Sequence, residues 1–166
     1  MDTRLHEAAD KGDIDTLRAL LEEGVDINTK NEAGYTALYH AVHMNKLDAS
    51  RFLVECGAST DVYDHNDRSM LDFTVSINHI DPSITKLLID AGMDVNRATP
   101  ISMITPLHSV TKGPTQTGLD KAKLLIDAGA NVNAENYQGH TPLYYATNPG
   151  MIDIANLLKV HGARYK

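Results

Sequence analysis

The chain has 166 residues, 42% of them hydrophobic, with no Trp and two Phe, so any core it buries is aliphatic and of the size of one domain. A formal net charge of −7 and a pI near 5.5, with no cluster of Lys and Arg, argue against a phosphate-binding surface and set nucleic acid aside as a partner. The opening MDTRLHEAADKGD lacks a cationic flank followed by an apolar run, and no segment approaches about 18 apolar residues. A cytoplasmic protein with no membrane partner is expected, although delivery into a host by a specialised secretion machine leaves no such trace.

Taken in order, the predicted elements repeat. TRLHEAA at Thr3 opens a first helical stretch, and ALLEEGVDIN closes a second one at Gly24. TALYHAV at Thr36 opens the next pair, with Thr36 as cap, Leu38, Ala41 and Val42 on the buried side, and Leu47 to Glu55 as the second helix ending at Gly57. SMLDFTV at Ser69 and LLIDAGMDVN to Gly92 form a third pair. TPLHSVT at Thr105 and LLIDAGANVN through Gly129 form a fourth, and TPLYYAT at Thr141 with LLKVHGAR through Gly162 a fifth. The anchoring leucines Leu5, Leu38, Leu71, Leu107 and Leu143 are spaced by 33, 33, 36 and 36 residues. A period in that range marks stacked supersecondary units, none of which can bury its own apolar faces. Each terminal Gly suits a residue just past a helix end, where positive φ is needed.

On these words, five in register and each with its own LLxxG-type ending, the chain resembles the ankyrin repeat family, whose opening T-P-L-H-x-A and 33-residue length they approach. The resemblance spans nearly the whole chain. It implies an all-α solenoid, a single ankyrin repeat domain of five stacked helix-turn-helix units joined by short β-hairpin-like links, with repeats at about 1–28, 29–62, 63–96, 97–133 and 134–166. Glu7 and Lys159 put polar groups where inner units are apolar or aromatic, and read as caps on a complete stack. Departures are expected to matter. The third unit has Asp67 and Asn78 in place of Gly and Asp72 in place of His. The link into the fourth, 97–104, is one residue longer, lacks Asp and Gly, and should have an irregular, apolar tip. Extra residues around Asp81-Pro82 and within 112–118 should enlarge two neighbouring inter-helix loops.

No motif carries catalytic chemistry: GxSxG, P-loop and HExxH are all missing. His40 and His43 have helical i, i+3 spacing but lack further ligands nearby in the sequence, while His6 and His108 occupy the family's structural His position. Cys56, the only cysteine, precludes an internal disulfide and reads as packing at a helix end. Glu22 and Glu23 fall on a solvent face. Catalytic residues, metal ligands and cofactors are therefore all expected to be none. The first 30 residues carry eight acids against four bases and read as a solvated terminus, with attraction to a basic partner as the sharper alternative.

What remains is binding. In the ankyrin family partners meet the hairpin tips and the first helix of each pair, which implies contact through Lys30, Glu32, Tyr35, His43 and Met44 in the second unit. Tyr63, His65, Asn66, Arg68 and Ile77 follow in the third, Pro100, Ile101, Met103 and Ile104 in the fourth, and Tyr137, Gln138 and His140 in the fifth. The tip tyrosines Tyr35, Tyr63 and Tyr137 are expected to face solvent, whereas Tyr39 and Tyr144 should pack between units. Asn28, Asn96 and Asn133 occupy the position that asparagine hydroxylases modify in similar metazoan proteins. The expected function is a protein-protein interaction module, monomeric when unbound, that grips one folded protein on its concave face and acts by occlusion or sequestration. A viral or symbiont interceptor and a toxin-neutralising immunity protein both fit; a non-inhibitory scaffold or regulatory subunit is the alternative.

Overall fold

The computed structural model describes residues 3–64, 67–110, 116–147 and 151–165. Among them ten helices follow in order: α1 (Arg4–Lys11), α2 (Ile14–Glu22), α3 (Ala37–His43), α4 (Leu47–Glu55), α5 (Met70–Ser76), α6 (Pro82–Asp90), α7 (Pro106–Ser109), α8 (Gln116–Asp127), α9 (Pro142–Tyr145) and α10 (Ile152–Val160). Odd-numbered helices pack on one another from α1 to α9, and even-numbered helices from α2 to α10, which makes two layers. The fold is all-α. The one β feature among the described residues is an isolated bridge between Tyr63 and Ser69, so the links are hairpin-shaped turns rather than strands.

The sequence period becomes a column of buried leucines. Leu5, Leu38, Leu71, Leu107 and Leu143 are fully buried in the first-helix layer, and Leu20, Leu53, Leu88, Leu125 and Leu158 are buried in the second. Each of the latter stands four residues before a terminal Gly. Those glycines have φ between +83° and +90°, and at none of the five would an added Cβ meet another atom within 4 Å. Backbone conformation rather than space demands Gly there. The left-handed turn lets the following N–H return to the carbonyl of the buried Leu, as in Ala58 N–H to Leu53 O at 3.0 Å and Ala130 N–H to Leu125 O at 2.9 Å. One short word thus ends the helix and orients its largest apolar side chain.

The first helices of the second, third and fourth units start on side-chain caps, while the Thr141 hydroxyl of the fifth donates to Arg164 O instead. The hydroxyls of Thr36 and Ser69 accept from the N–H groups of Tyr39 (3.3 Å) and Asp72 (3.1 Å), and Thr105 with His108 forms a reciprocal capping box. Thr3 differs: its backbone is helical and its hydroxyl turns to Glu7, leaving the buried Nδ1 of His6 without a partner. The motif histidines tie each first helix to the next link. His6 Nε2 donates to Thr29 O and Tyr35 O, both at 3.0 Å, and His108 Nε2 to His140 O at 3.1 Å.

On the link side, asparagines lace successive units together. Asn28 Oδ1 accepts from Ser59 N–H at 2.8 Å. Asn96 accepts from Asn131 N–H (2.7 Å) and donates to Gly129 O (3.0 Å). Asn133 accepts from Arg164 N–H (2.8 Å) and donates to Gly162 O (3.1 Å). The equivalent residue of the second unit is Asp61, which instead accepts the Tyr63 hydroxyl and makes no such cross-unit bond.

Three expectations need correction. Cys56 is exposed rather than packed; like Ala91 and Ala128 it precedes a left-handed Gly at the solvent end of its helix, where small size does not mean burial. The predicted loop 112–118 is shorter than expected, because Gln116, Thr117 and Gly118 form the first turn of α8, while 112–115 lie outside the described residues. Tyr144 is exposed rather than packed between units, stacked on His140, whereas Tyr39 is covered by Phe73 of α5.

Candidate functional site

Each link is a compact turn closed by its first residue. In the second unit Asn31 N–H donates to Tyr35 O (2.9 Å), its Oδ1 accepts from Ala33 and Tyr35 N–H (both 3.0 Å), and Gly34 has φ +83°. The fifth repeats this with Asn136, His140 and Gly139. In the third, Asp64 replaces Asn, accepting Arg68 N–H at 3.1 Å and its guanidinium at 2.6 and 2.7 Å. Asp67 there takes φ +54°, so the turn the family builds with Gly survives on a strained Asp.

The fourth tip departs from the others, as its sequence suggests, but is closed by bonds of its own. Thr99 does the work of the missing Asp: its Oγ1 accepts Ile104 N–H (3.0 Å) and pairs with Ser102 Oγ (2.6 Å). The closing bond runs from Thr99 N–H to Ile104 O (2.9 Å), a span of one residue more than in the other tips. Met103 occupies the Gly position with φ +53°. The extra residue thrusts the apex outward, leaving Ile101 89% and Met103 49% exposed. Ser102 O accepts the N–H of Tyr137 (3.2 Å), so the fourth and fifth tips are joined and Tyr137, 65% exposed, adjoins them. The apolar character predicted for this tip is present.

Elsewhere aromatic rings line the inner helices. Tyr35 stacks on Tyr39 (centroids 4.1 Å apart), Tyr39 leans on Phe73 (5.6 Å) and His43 stacks on Phe73 (5.4 Å). Burial pushes the Tyr39 hydroxyl up to about 12. His140 stacks on Tyr144 (3.7 Å), which meets Tyr145 edge-on (5.4 Å). Tyr35 and Tyr63 are therefore not the free rings expected. Both are half-buried, Tyr35 against Tyr39 and Tyr63 beneath the Arg97 guanidinium at 4.1 Å. Of the three tip tyrosines only Tyr137 is largely open.

Among the remaining candidates, Lys30, Glu32, His43, Met44, Pro100 and Gln138 are exposed. Ile104 and His140 are half-buried, Arg68 is held by Asp64, and Ile77 packs on the core. His65 and Asn66 lie outside the described residues. Tyr144, exposed beside His140, is the surface residue that the motif comparison misassigned. His40 does not face His43: its Nδ1 lies 2.8 Å from Asp10 Oδ1 and its Nε2 2.8 Å from Asn31 Nδ2. Among the described residues no three His, Cys, Asp or Glu side chains converge, and no helix is long and apolar enough to cross a membrane.

The pattern of the family described as "Ankyrin repeats (3 copies)" matches residues 5–99 and again 71–166. The chain belongs to the ankyrin repeat family. Three relatives, all provisionally named, give the scale of similarity. The ankyrin repeat protein YahD of Escherichia coli strain K12 is 32% identical over 161 residues, covering 94% of this chain and 78% of YahD. The ankyrin repeat protein FPV014 of fowlpox virus is 31% identical over 143 residues, 86% of this chain and 31% of its own. The palmitoyltransferase ZDHHC13 of Danio rerio is 28% identical over 161 residues, 95% of this chain but 24% of its own. The chain thus spans about a third of the viral relative and a quarter of the fish enzyme. An ankyrin repeat array of this kind is a protein-protein interaction module.

Proposed function

We propose that this chain binds one folded protein through the tips and first helices of its units and acts by covering the surface it grips. The observation that carries this reading is the joined pair of tips presenting Ile101, Met103 and Tyr137. Large apolar side chains gathered on one exposed patch are costly to leave in water, and such patches mark contact sites. Two of the four described tips hold a non-Gly residue at positive φ, a strain retained where display matters. Met44, at the end of α3, and Tyr144, on α9, are further exposed apolar side chains. A cytoplasmic monomer that sequesters a partner, as a viral or symbiont interceptor or as an immunity protein, fits this surface; a scaffold that leaves its partner active is the second reading.

Affinity capture from native lysate, comparing the unaltered chain with an Ile101→Asp/Met103→Asp/Tyr137→Ala variant, tests the site. The variant should keep its melting temperature within a few degrees and lose captured protein by roughly a hundredfold, since central aromatic and apolar anchors dominate interfaces. Full retention of the captured protein by a folded variant refutes the patch. Turnover of a captured enzyme, unchanged by saturating chain, would select the scaffold.

A further inference from the structure

α5 ends abnormally. In the first two units the first helix closes through a left-handed residue, Gly12 (φ +75°) or Asn45 (φ +56°), whose successor returns its N–H to the helix: Asp13 to Ala8 O at 2.9 Å, Lys46 to Ala41 O at 2.8 Å. In the third unit Asn78 holds that place without positive φ, and the cap residue Ile77 is extended at φ −111°, ψ 117°. The carbonyls of the last turn need other donors. Locally, Ser76 Oγ donates to Phe73 O at 3.0 Å and Ile80 N–H to Ile77 O at 3.4 Å; the neighbouring unit supplies a further donor. Lys121 of α8, only 1% exposed, places its Nζ 2.7 Å from Thr74 O and 2.7 Å from Ile77 O. Its position is held by Ala49, Ile84 and Ile154 in the second, third and fifth units, all buried and apolar, and by the exposed Thr16 in the first. From the other side Asn45 Oδ1 accepts Asp81 N–H at 2.8 Å, so segment 77–81 is fixed between the second unit and the fourth.

We propose that Lys121 is a positioning residue for the inner surface of the third unit, its amine completing at the end of α5 the cap that a left-handed residue supplies in the first two units. Ile77, a candidate contact position, rides on this clamp; that link to binding rests on the function proposed above, whereas the clamp itself is testable without a partner. Either protonation state of the amine has the two N–H groups the carbonyls require, so the donors position and the charge burdens. Burial pulls the amine down to about 8, and Asp81 opposes that pull. Other charged groups on the packed elements are engaged elsewhere or exposed: Asp72 on α5 meets Ser69, Lys86 and Asp90 on α6 pair at 2.8 Å, His108 near α7 bonds Thr105, and His79, Asp153 and Lys159 face solvent.

The test is hydrogen exchange on the full chain with Lys121→Met, which keeps the apolar stem and removes the donors. The amides of Ile80 and Asp81, whose N–H groups bond Ile77 O and Asn45 Oδ1, should exchange at least about tenfold faster, those of α1 and α3 should be unchanged, and Lys121→Arg should restore part of the protection. Unchanged exchange at Ile80 and Asp81 in a folded Lys121→Met chain overturns the proposal. Should that variant not fold, the Nζ resonance of Lys121 in the unaltered chain decides. It should titrate well below the other lysines, and folding should strengthen on the order of a hundredfold between pH 8 and 10.5, where the unfolded chain keeps a proton that the folded one has released. An Nζ titrating with the bulk lysines shows an amine in water rather than at Thr74 O and Ile77 O and overturns the clamp.

Discussion

Replacing the bridging asparagines by Ala should grade the seams between units. Asn96 and Asn133 each make two bonds to the following unit, whereas Asn28 makes one. A net hydrogen bond contributes about 0.5–1.5 kcal/mol, and these sites are solvated enough that the groups left behind find water, which places each bond near 0.5–1 kcal/mol. Asn96→Ala and Asn133→Ala should therefore cost about 1–2 kcal/mol and Asn28→Ala about 0.5–1 kcal/mol. Urea unfolding followed by circular dichroism measures all three. Because Asn28 and Asn133 lie at opposite ends, the double variant should equal the sum within about 0.5 kcal/mol. A loss at Asn28 as large as at Asn133, or three losses near zero, would refute the idea that side-chain lacing rather than helix packing alone sets the strength of these seams.

Met103→Gly removes a left-handed strain of about 1–2 kcal/mol and adds freedom to the unfolded chain, so a net gain of about 0.5 kcal/mol is expected in the urea midpoint, while partner capture should weaken. Cys56 should react with a thiol reagent in native buffer within about tenfold of its rate in denaturant, as its exposure requires. The Asp81 carboxyl is held below its ordinary 3.8 by bonds from the backbone and side chain of Ser83. Its stabilising effect is complete above that value and fades as pH falls through the lower folded value, so Asp81→Asn should lose less stability than the unaltered chain between about pH 6 and pH 3. Leu125→Ala should cost about 2–5 kcal/mol by opening a cavity at a fully buried site, read from thermal melting.

The helical architecture was legible because one word, apolar pair then Gly, fixes three things together: burial of a Leu, the end of a helix and the direction of the next link. Leu53 with Gly57 and Leu125 with Gly129 show the same solution at two places. The closure of the fourth tip was not legible, because a motif comparison weighs the loss of Asp and Gly but not the ability of the Thr99 hydroxyl to accept the same N–H. Lys121 went unremarked for a related reason. Its signal lay in two places at once, a cation in an apolar slot and a missing Gly at position 78, and only folding brings them within hydrogen-bond reach. Tyr35 and Tyr63 show the converse, since tip position says nothing of the Tyr39 ring or the Arg97 guanidinium that covers them.

The broken lacing at Asp61 makes the stack mechanically uneven. Between second and third units the link edge has no asparagine tie, while the far edge is fastened by Asn45 to Asp81. Under bending, the link edge of this seam is expected to open more readily than the laced seams on either side of it, against the contacts of Phe73 with Tyr39 and His43 that also cross it.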